Sequence, residues 1–282
     1  MTQIIDGKAY AATLKETLKS QVSDLLHRGV KLKLSVLLVG DDEASALYAE
    51  QKRKNCAAMG VDYELTKLPA TATQEQVLDH VRKLNADDTV TAIMVEMPLP
   101  KGLNAQQVQE TIAPEKDIDG ANPINLGRLT SGLPNLTPCT SEATVRLAEA
   151  QTDLKGKKVV VVGRSVVVGK PAALLALEKN ATVTICHSRT PDLAAELKSA
   201  DVVIAAVGKA GLITGSMIKE GAIVIDAGIN SKEGGGITGD CDFESMQGIA
   251  AAITPVPGGV GPVTNANLLA NILKAAHLQG KA

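Results

Sequence analysis

Aromatic side chains are nearly missing from this chain of 282 residues, which has no Trp, one Phe and three Tyr. Proteins that bind single-stranded nucleic acid stack bases on aromatics, so that class is excluded. A basic surplus is also missing. Lys and Arg number 29 against 31 Asp and Glu, a formal net charge of -2, whereas a general nucleic-acid binder carries a basic excess. Cysteine is sparse. Cys56, Cys139, Cys186 and Cys241 are far apart with no C-x-x-C pair, and they read as free thiols of a cytoplasmic protein. Residues 1–10 carry Asp6 and Lys8 and hold no apolar run of the signal-peptide kind. The long uncharged stretch 247–273 contains Pro255, Pro257, Pro262 and several glycines, which is unlike a membrane-spanning helix. His27, His80, His187 and His277 are scattered and none pairs with a nearby cysteine, so no metal is expected. There is no G-x-S-x-G elbow and no P-loop.

What is present is ordinary globular material, 45% hydrophobic and 21% charged. At roughly 150 residues per domain the length suggests about two domains. Helical spacing over 10–27, 44–59 and 73–84 alternates with apolar runs at 34–39 and 91–95. The segment 117–140 is rich in Pro, Gly, Asn and Thr and reads as irregular, with a helix over 141–150 beyond it. Strands then recur at 159–162, 182–186, 202–206 and 223–225, with a helix to about 179 and a last helix over 262–277. This alternation predicts an α/β fold with a largely parallel sheet.

The four valines at 159–162 run into Gly163, Arg164, Ser165 and three more valines, then Gly169 and Lys170. A strand ending in a glycine turn before a helix aims backbone N–H groups and the positive helix end at a pyrophosphate. The next strand ends in Cys186, His187, Ser188 and Arg189, where an NAD site usually places a carboxylate for the ribose hydroxyls. Arg189, Ser188 and Arg164 suit a 2′-phosphate, which favours NADP. Alternatively Arg189 is a solvated loop residue and His187 a helix-capping neighbour. Gly208 and Gly228 also follow strand ends, which puts Ile229 near such a cofactor.

On the helix over 44–59, Ser45, Tyr48, Lys52 and Cys56 share one stripe. Ser, Tyr and Lys on one face can handle protons, and a lysine among apolar walls can serve as a base. Equally, Lys52, Arg53 and Lys54 can be a solvated basic run. Spacing leaves both readings open.

Taken together, the stretches IIDGK, VLLVG with ASALYAEQKRKNC, APEKDIDG, VVVVGRSVVVGKP, GAIVIDAGIN and ITPVPGGVGPVT, with MVEMPLP between them, resemble the bifunctional methylenetetrahydrofolate dehydrogenase/methenyltetrahydrofolate cyclohydrolase family along the whole chain. The resemblance implies a folate-binding α/β domain (1–139 with 262–282) and a Rossmann-like NADP domain (140–261), with a cleft between them. It implies NADP-dependent oxidation of 5,10-methylenetetrahydrofolate, hydrolysis of the product to 10-formyltetrahydrofolate, a role in one-carbon metabolism and purine biosynthesis, and a homodimer. Lys52 matches the catalytic lysine, Tyr48 the tyrosine beside it and Asp119 the carboxylate that holds the pterin. Ser45, Val95, Glu96 and Met97 fall among the substrate positions, as does the loop Pro257, Gly258, Gly259, Val260 and Gly261. Gly163, Arg164, Ser165, His187, Ser188, Arg189, Gly208, Gly228, Ile229 and Thr264 fall among the cofactor positions.

One position departs. The family motif normally reads V-Q-L-P-L-P, and here Glu96 replaces the glutamine that contacts the lysine. An amide leaves the lysine free to lose a proton, whereas a carboxylate favours the ammonium. At an effective dielectric of about 20, unit charges about 4 Å apart interact by roughly 4 kcal/mol before desolvation. The expectation is a cyclohydrolase step altered more than hydride transfer, in the extreme a dehydrogenase alone. The competing expectation is that Glu96 itself accepts the proton and both steps survive. A different two-domain NADP dehydrogenase of the shikimate type leaves PVPGGVGP unexplained. A non-catalytic folate- or NADP-binding module sits poorly with Lys52 and Asp119.

Overall fold

The computed structural model spans residues 1–282 and describes all of them except Pro134, Glu233 and the side chains of residues 43–48. In chain order the elements are β1 (Gln3–Ile4), α1 (Gly7–His27), β2 (Lys33–Val39), α2 (Glu43–Met59), β3 (Asp62–Leu68), α3 (Gln74–Ala86) and β4 (Ala92–Val95). Then come α4 (Ala105–Thr111), α5 (Pro123–Thr130), α6 (Cys139–Glu149), β5 (Lys158–Val162), α7 (Gly169–Glu178), β6 (Thr182–Cys186) and α8 (Leu193–Lys198). The rest are β7 (Val202–Ala205), β8 (Ile223–Asp226), β9 (Asn230–Ser231), β10 (Ile237–Thr238), β11 (Ala252–Ile253) and α9 (Val260–Leu278). No described helix is long and apolar enough to cross a membrane.

The chain forms two compact units, Met1–Leu14 with Pro138–Asn267 and Lys15–Thr137 with Leu268–Ala282. The first residues thus fold with the later half, unlike the division expected from sequence. The cause is β1, which pairs in parallel with β11, Ile5 N donating to Ile253 O at 2.8 Å. A two-residue strand whose partner lies so far along the chain leaves no periodic signal.

In the unit built on Pro138–Asn267, six parallel strands lie in the order β1-β11-β8-β7-β5-β6. Val159, Val161, Val202, Ile204 and Ile225 face one buried layer, while Val160, Val162, Val203, Ala205 and Val224 face the other. Both faces are covered, which is why these strands read as unbroken apolar runs. After β6 the chain crosses to β7 on the far side of β5, so the order reverses between β5 and β7 and a crevice opens at their carboxyl ends.

The unit built on Lys15–Thr137 has three parallel strands, β3-β2-β4, and Ile93 forms a further parallel bridge with Asp117. Leu37, Val39 and Ile93 pack with Val77, Leu78 and Val81 of α3. The order reverses between β2 and β4, again opening the carboxyl ends. Strand β3 has no counterpart among the expected elements, because it is an edge strand carrying Asp62, Glu64 and Lys67. The segment 117–140, expected to be irregular, contains α5. Asn122 caps that helix by accepting from Ile124 N at 2.8 Å, and Pro123 opens it.

Candidate active site

Strand β4 ends at Val95, and Glu96 follows with its N–H on Leu37 O of β2 at 2.9 Å. This fixes the Glu96 side chain at the crevice between β2 and β4. Lys52 comes from α2, the crossover between β2 and β3. Its Nζ donates to Glu96 Oε1 at 2.7 Å and Oε2 at 3.0 Å, and both residues are buried, at 8% and 6% exposed. The neighbours on the helix behave differently. Arg53 and Lys54 are exposed and pair with Glu50 in solvent. Lys52 is therefore the inward member of the basic run. Cys56, one turn on, is fully buried, and burial pushes its thiol up to about 12, so it is a packing group. Ser45 and Tyr48 have side chains outside the described residues. Val95 is buried and Met97 is 43% exposed.

Two aspartates follow in the segment that borders β4. Asp117 is fully buried and structural. Its carboxylate accepts from Gln109 Nε2 at 2.7 Å, Asn122 N at 2.7 Å and Asn125 Nδ2 at 3.1 Å. Lys116 is structural too, its Nζ donating to the carbonyls of Leu84, Asn85 and Asp87 at the end of α3. Asp119 is half-buried, and its carboxylate has no hydrogen-bond partner among the described residues. Burial pushes it up to about 7; Asp117 adds to that rise, Lys52 opposes it, and Glu96 contributes a smaller rise. Lys52, Glu96 and Asp119 thus feel one another's charge. Tyr63 of β3 is a neighbour that the sequence did not suggest. Its hydroxyl donates to Ala49 O at 3.0 Å, and burial foremost, with the charge of Glu96, pushes the phenol upward.

In the other unit, Gly163 follows β5 with φ +128, its N–H on Cys186 O at 2.8 Å. A Cβ there would strike Ala206 O, and one on Gly169 would strike Gly163 O. These glycines let strand, turn and helix close up. Ser165 Oγ accepts from Val168 N at 3.2 Å and Gly169 N at 3.3 Å, and Lys170 N donates to Ser165 O at 3.1 Å. The α7 terminus therefore differs from the expectation, because Ser165 takes up its first donors and Pro171 offers none. Arg164, Ser188 and Arg189 are exposed. His187 builds the turn after β6, its Nδ1 accepting from Arg189 N at 3.0 Å and its N–H bonding Thr190 Oγ1 at 2.9 Å.

Two carboxylates that sequence reasoning missed hold the neighbouring strand ends. Asp240 accepts from Val207 N, Gly208 N, Lys209 N and Asn230 Nδ2. Asp226 accepts from Gly228 N, Asp240 N and Cys241 N, and burial raises it. A Cβ on Gly228 would collide with the Asp240 carboxylate, so Gly228 has a packing reason of its own. Ile229 beyond it is 65% exposed. The loop with Pro257, Gly258, Gly259, Val260 and Gly261 lies in this unit. A Cβ on Gly7 would strike Gly259 O, which ties the start of α1 to that loop. Thr264 on α9 donates to Val260 O at 3.2 Å.

Two family models match the chain. One describes the catalytic domain of tetrahydrofolate dehydrogenase/cyclohydrolase, over residues 5–119, and the other its NAD(P)-binding domain, over residues 138–280. The chain is 48% identical over 282 residues to "Bifunctional protein FolD 2" of Desulfitobacterium hafniense, covering 100% of this chain and 99% of the relative. It resembles the crystal structure of the bifunctional enzyme FolD, a methylenetetrahydrofolate dehydrogenase/cyclohydrolase, from Campylobacter jejuni. The TM-score is 0.96 at 42% identity, over 99% of this chain and 100% of the other. The Trypanosoma brucei enzyme of the same description, complexed with NADP cofactor and inhibitor, gives a TM-score of 0.93 at 37% identity, over 100% of this chain and 99% of the other.

Proposed function

Because the chain belongs to the tetrahydrofolate dehydrogenase/cyclohydrolase family, we propose that it oxidises 5,10-methylenetetrahydrofolate with NADP⁺ and hydrolyses the resulting 5,10-methenyltetrahydrofolate to 10-formyltetrahydrofolate. The observation that carries this reading is the buried Lys52–Glu96 pair at the crevice between β2 and β4, with Asp119 beside it. Lys52 is the proton-handling group for the hydrolytic water and Asp119 the carboxyl that binds the pterin. By the family resemblance Ser45, Tyr48, Val95 and Met97 are substrate positions, as is the loop Pro257–Gly261. Hydride transfer asks mainly for orientation of two rings, whereas hydrolysis asks Lys52 to exchange a proton. The partner of Lys52 therefore bears on the second step more than on the first.

NADP, when bound, accepts the hydride on its nicotinamide. The residues present fit it. Arg164, Ser188 and Arg189 are exposed where β5 and β6 end, and none of the three residues directly after β6 is a carboxylate that would repel a 2′-phosphate. In this reading Gly163, Ser165 and His187 shape the phosphate turn, while Gly208, Gly228, Ile229 and Thr264 border the nicotinamide half. A homodimer is supported by β6, a sheet edge strand with Ile185 42% exposed, and by Leu177 on α7, 58% exposed. A cytoplasmic location accords with four free, buried cysteines, and supply of 10-formyl groups to purine synthesis follows from the product.

The test follows methenyl formation and methenyl decay separately on purified protein, with NADP⁺ and with NAD⁺. Formation with NADP⁺, followed by decay faster than the buffer blank, is expected. Formation with decay only at the blank rate would leave a dehydrogenase alone, and no formation would sink the reading.

A further inference from the structure

The two steps proposed above differ in charge. When the methylene carbon gives up hydride, two electrons and a proton's worth of hydrogen pass to the nicotinamide ring. The nicotinamide loses its positive charge, and the folate gains one, spread over the two nitrogens flanking the carbon. The site must then hold a cation until water adds and a proton leaves. A lysine beside that carbon is a poor neighbour for a cation unless its own charge is cancelled.

The Lys52–Glu96 pair supplies such cancellation. Both Glu96 oxygens are engaged by Lys52 Nζ, at 2.7 and 3.0 Å, and both side chains are shielded from solvent screening. Among the described residues, Asp119, Asp117, Tyr63 and Cys56 share charge effects with this cluster, while Arg53 reaches Tyr63 but pairs with Glu50 in solvent. Asp119, pushed up to about 7, supplies negative charge as pH rises.

We infer that Glu96 is a charge-selecting residue: by cancelling Lys52 it makes the site hold the cationic methenyl form in preference to neutral folates. This rests on the proposed function and adds to it a specificity for charge that an amide at this position would lack. At an effective dielectric of about 20, one unit of charge some 7 Å away changes affinity for a cation by roughly tenfold to a hundredfold.

The test compares dissociation constants at acidic pH, where the lysine of every variant keeps its proton, for 5,10-methenyltetrahydrofolate, taken by rapid mixing before hydrolysis, and for tetrahydrofolate, whose corresponding region is neutral. The full-length protein is used with Glu96→Gln and Glu96→Asp. The expected result is that Glu96→Gln weakens the cation at least tenfold and tetrahydrofolate by no more than twofold, while Glu96→Asp keeps the preference. Equal changes for the two ligands, or loss of the preference in Glu96→Asp as well, would overturn the inference. If the parent binds neither ligand, the functional reading fails instead. Should Glu96→Gln not fold, raising ionic strength on the parent must leave the cation preference within twofold, since the compensating pair is buried. A preference that collapses with salt would assign it to surface charge and overturn the inference.

Discussion

At the carboxyl ends of β7 and β8, two buried aspartates serve the backbone. Asp226 gathers three N–H groups from three loop positions, and Asp240 gathers three more together with Asn230. At the carboxyl end of β4 the arrangement is reversed, because Glu96 meets the Lys52 ammonium and Asp119, beyond α4, meets no donor among the described residues. The same contrast recurs between Asp117 and Asp119, two residues apart. A carboxylate surrounded by backbone donors is a scaffold, since its lone pairs are used and its loss orphans several N–H groups. A carboxyl group buried without donors keeps its capacity for a ligand and carries a protonation state near neutral pH. One sheet end is therefore built to hold loops in place, and the other to exchange charge.

The largest expected effect would break the scaffold side. Asp226→Ala orphans the N–H groups of Gly228, Asp240 and Cys241, and a loss of about 3–5 kcal/mol in chemical denaturation is expected. A loss below about 1 kcal/mol would show that these loops do not depend on it. Next, Glu96→Gln is expected to raise the cyclohydrolase rate about tenfold at alkaline pH only, where an amide partner lets Lys52 give up its proton, with dehydrogenase turnover changed less. Matching rates across pH in parent and variant would remove the distinction between the two steps. The smallest effect concerns Asp119. Its folded-state value is raised to about 7, so its contribution to stability is complete at pH below the ordinary carboxylate range and is lost as pH rises towards 7. Asp119→Asn removes that loss, and a gain of about 1–2 kcal/mol is expected at pH 8 and none near pH 4. A gain of equal size at both pH values would assign the effect to packing instead.

Much of this was legible in the sequence. The valine run at 159–162 fixes β5, because a strand covered on both faces must be apolar throughout. The stripe through Lys52 and Cys56 marks the inward face of α2, although KRK alone did not tell which cation turns inward. That is decided by where α2 packs, which is a tertiary matter. The roles of Asp117 and Asp119 were not separable, since which carboxylate finds donors depends on Gln109, Asn122 and Asn125 arriving from α4 and α5. Asp226 and Asp240 left no local pattern, because their partners are loop N–H groups up to 33 residues away. The placement of residues 1–14 rests on pairing between β1 and β11, and short-range periodicity is blind to that.

Lys52 takes part in the chemistry, while Lys116, equally buried, only holds the end of α3. The most direct measurement compares both rates in Lys52→Met and Lys116→Met, each assayed below its melting temperature. Lys52→Met is expected to lose cyclohydrolase turnover by about a hundredfold or more, while Lys116→Met melts lower but turns over like the parent. Similar losses in both variants, or a cyclohydrolase that survives Lys52→Met, would contradict it.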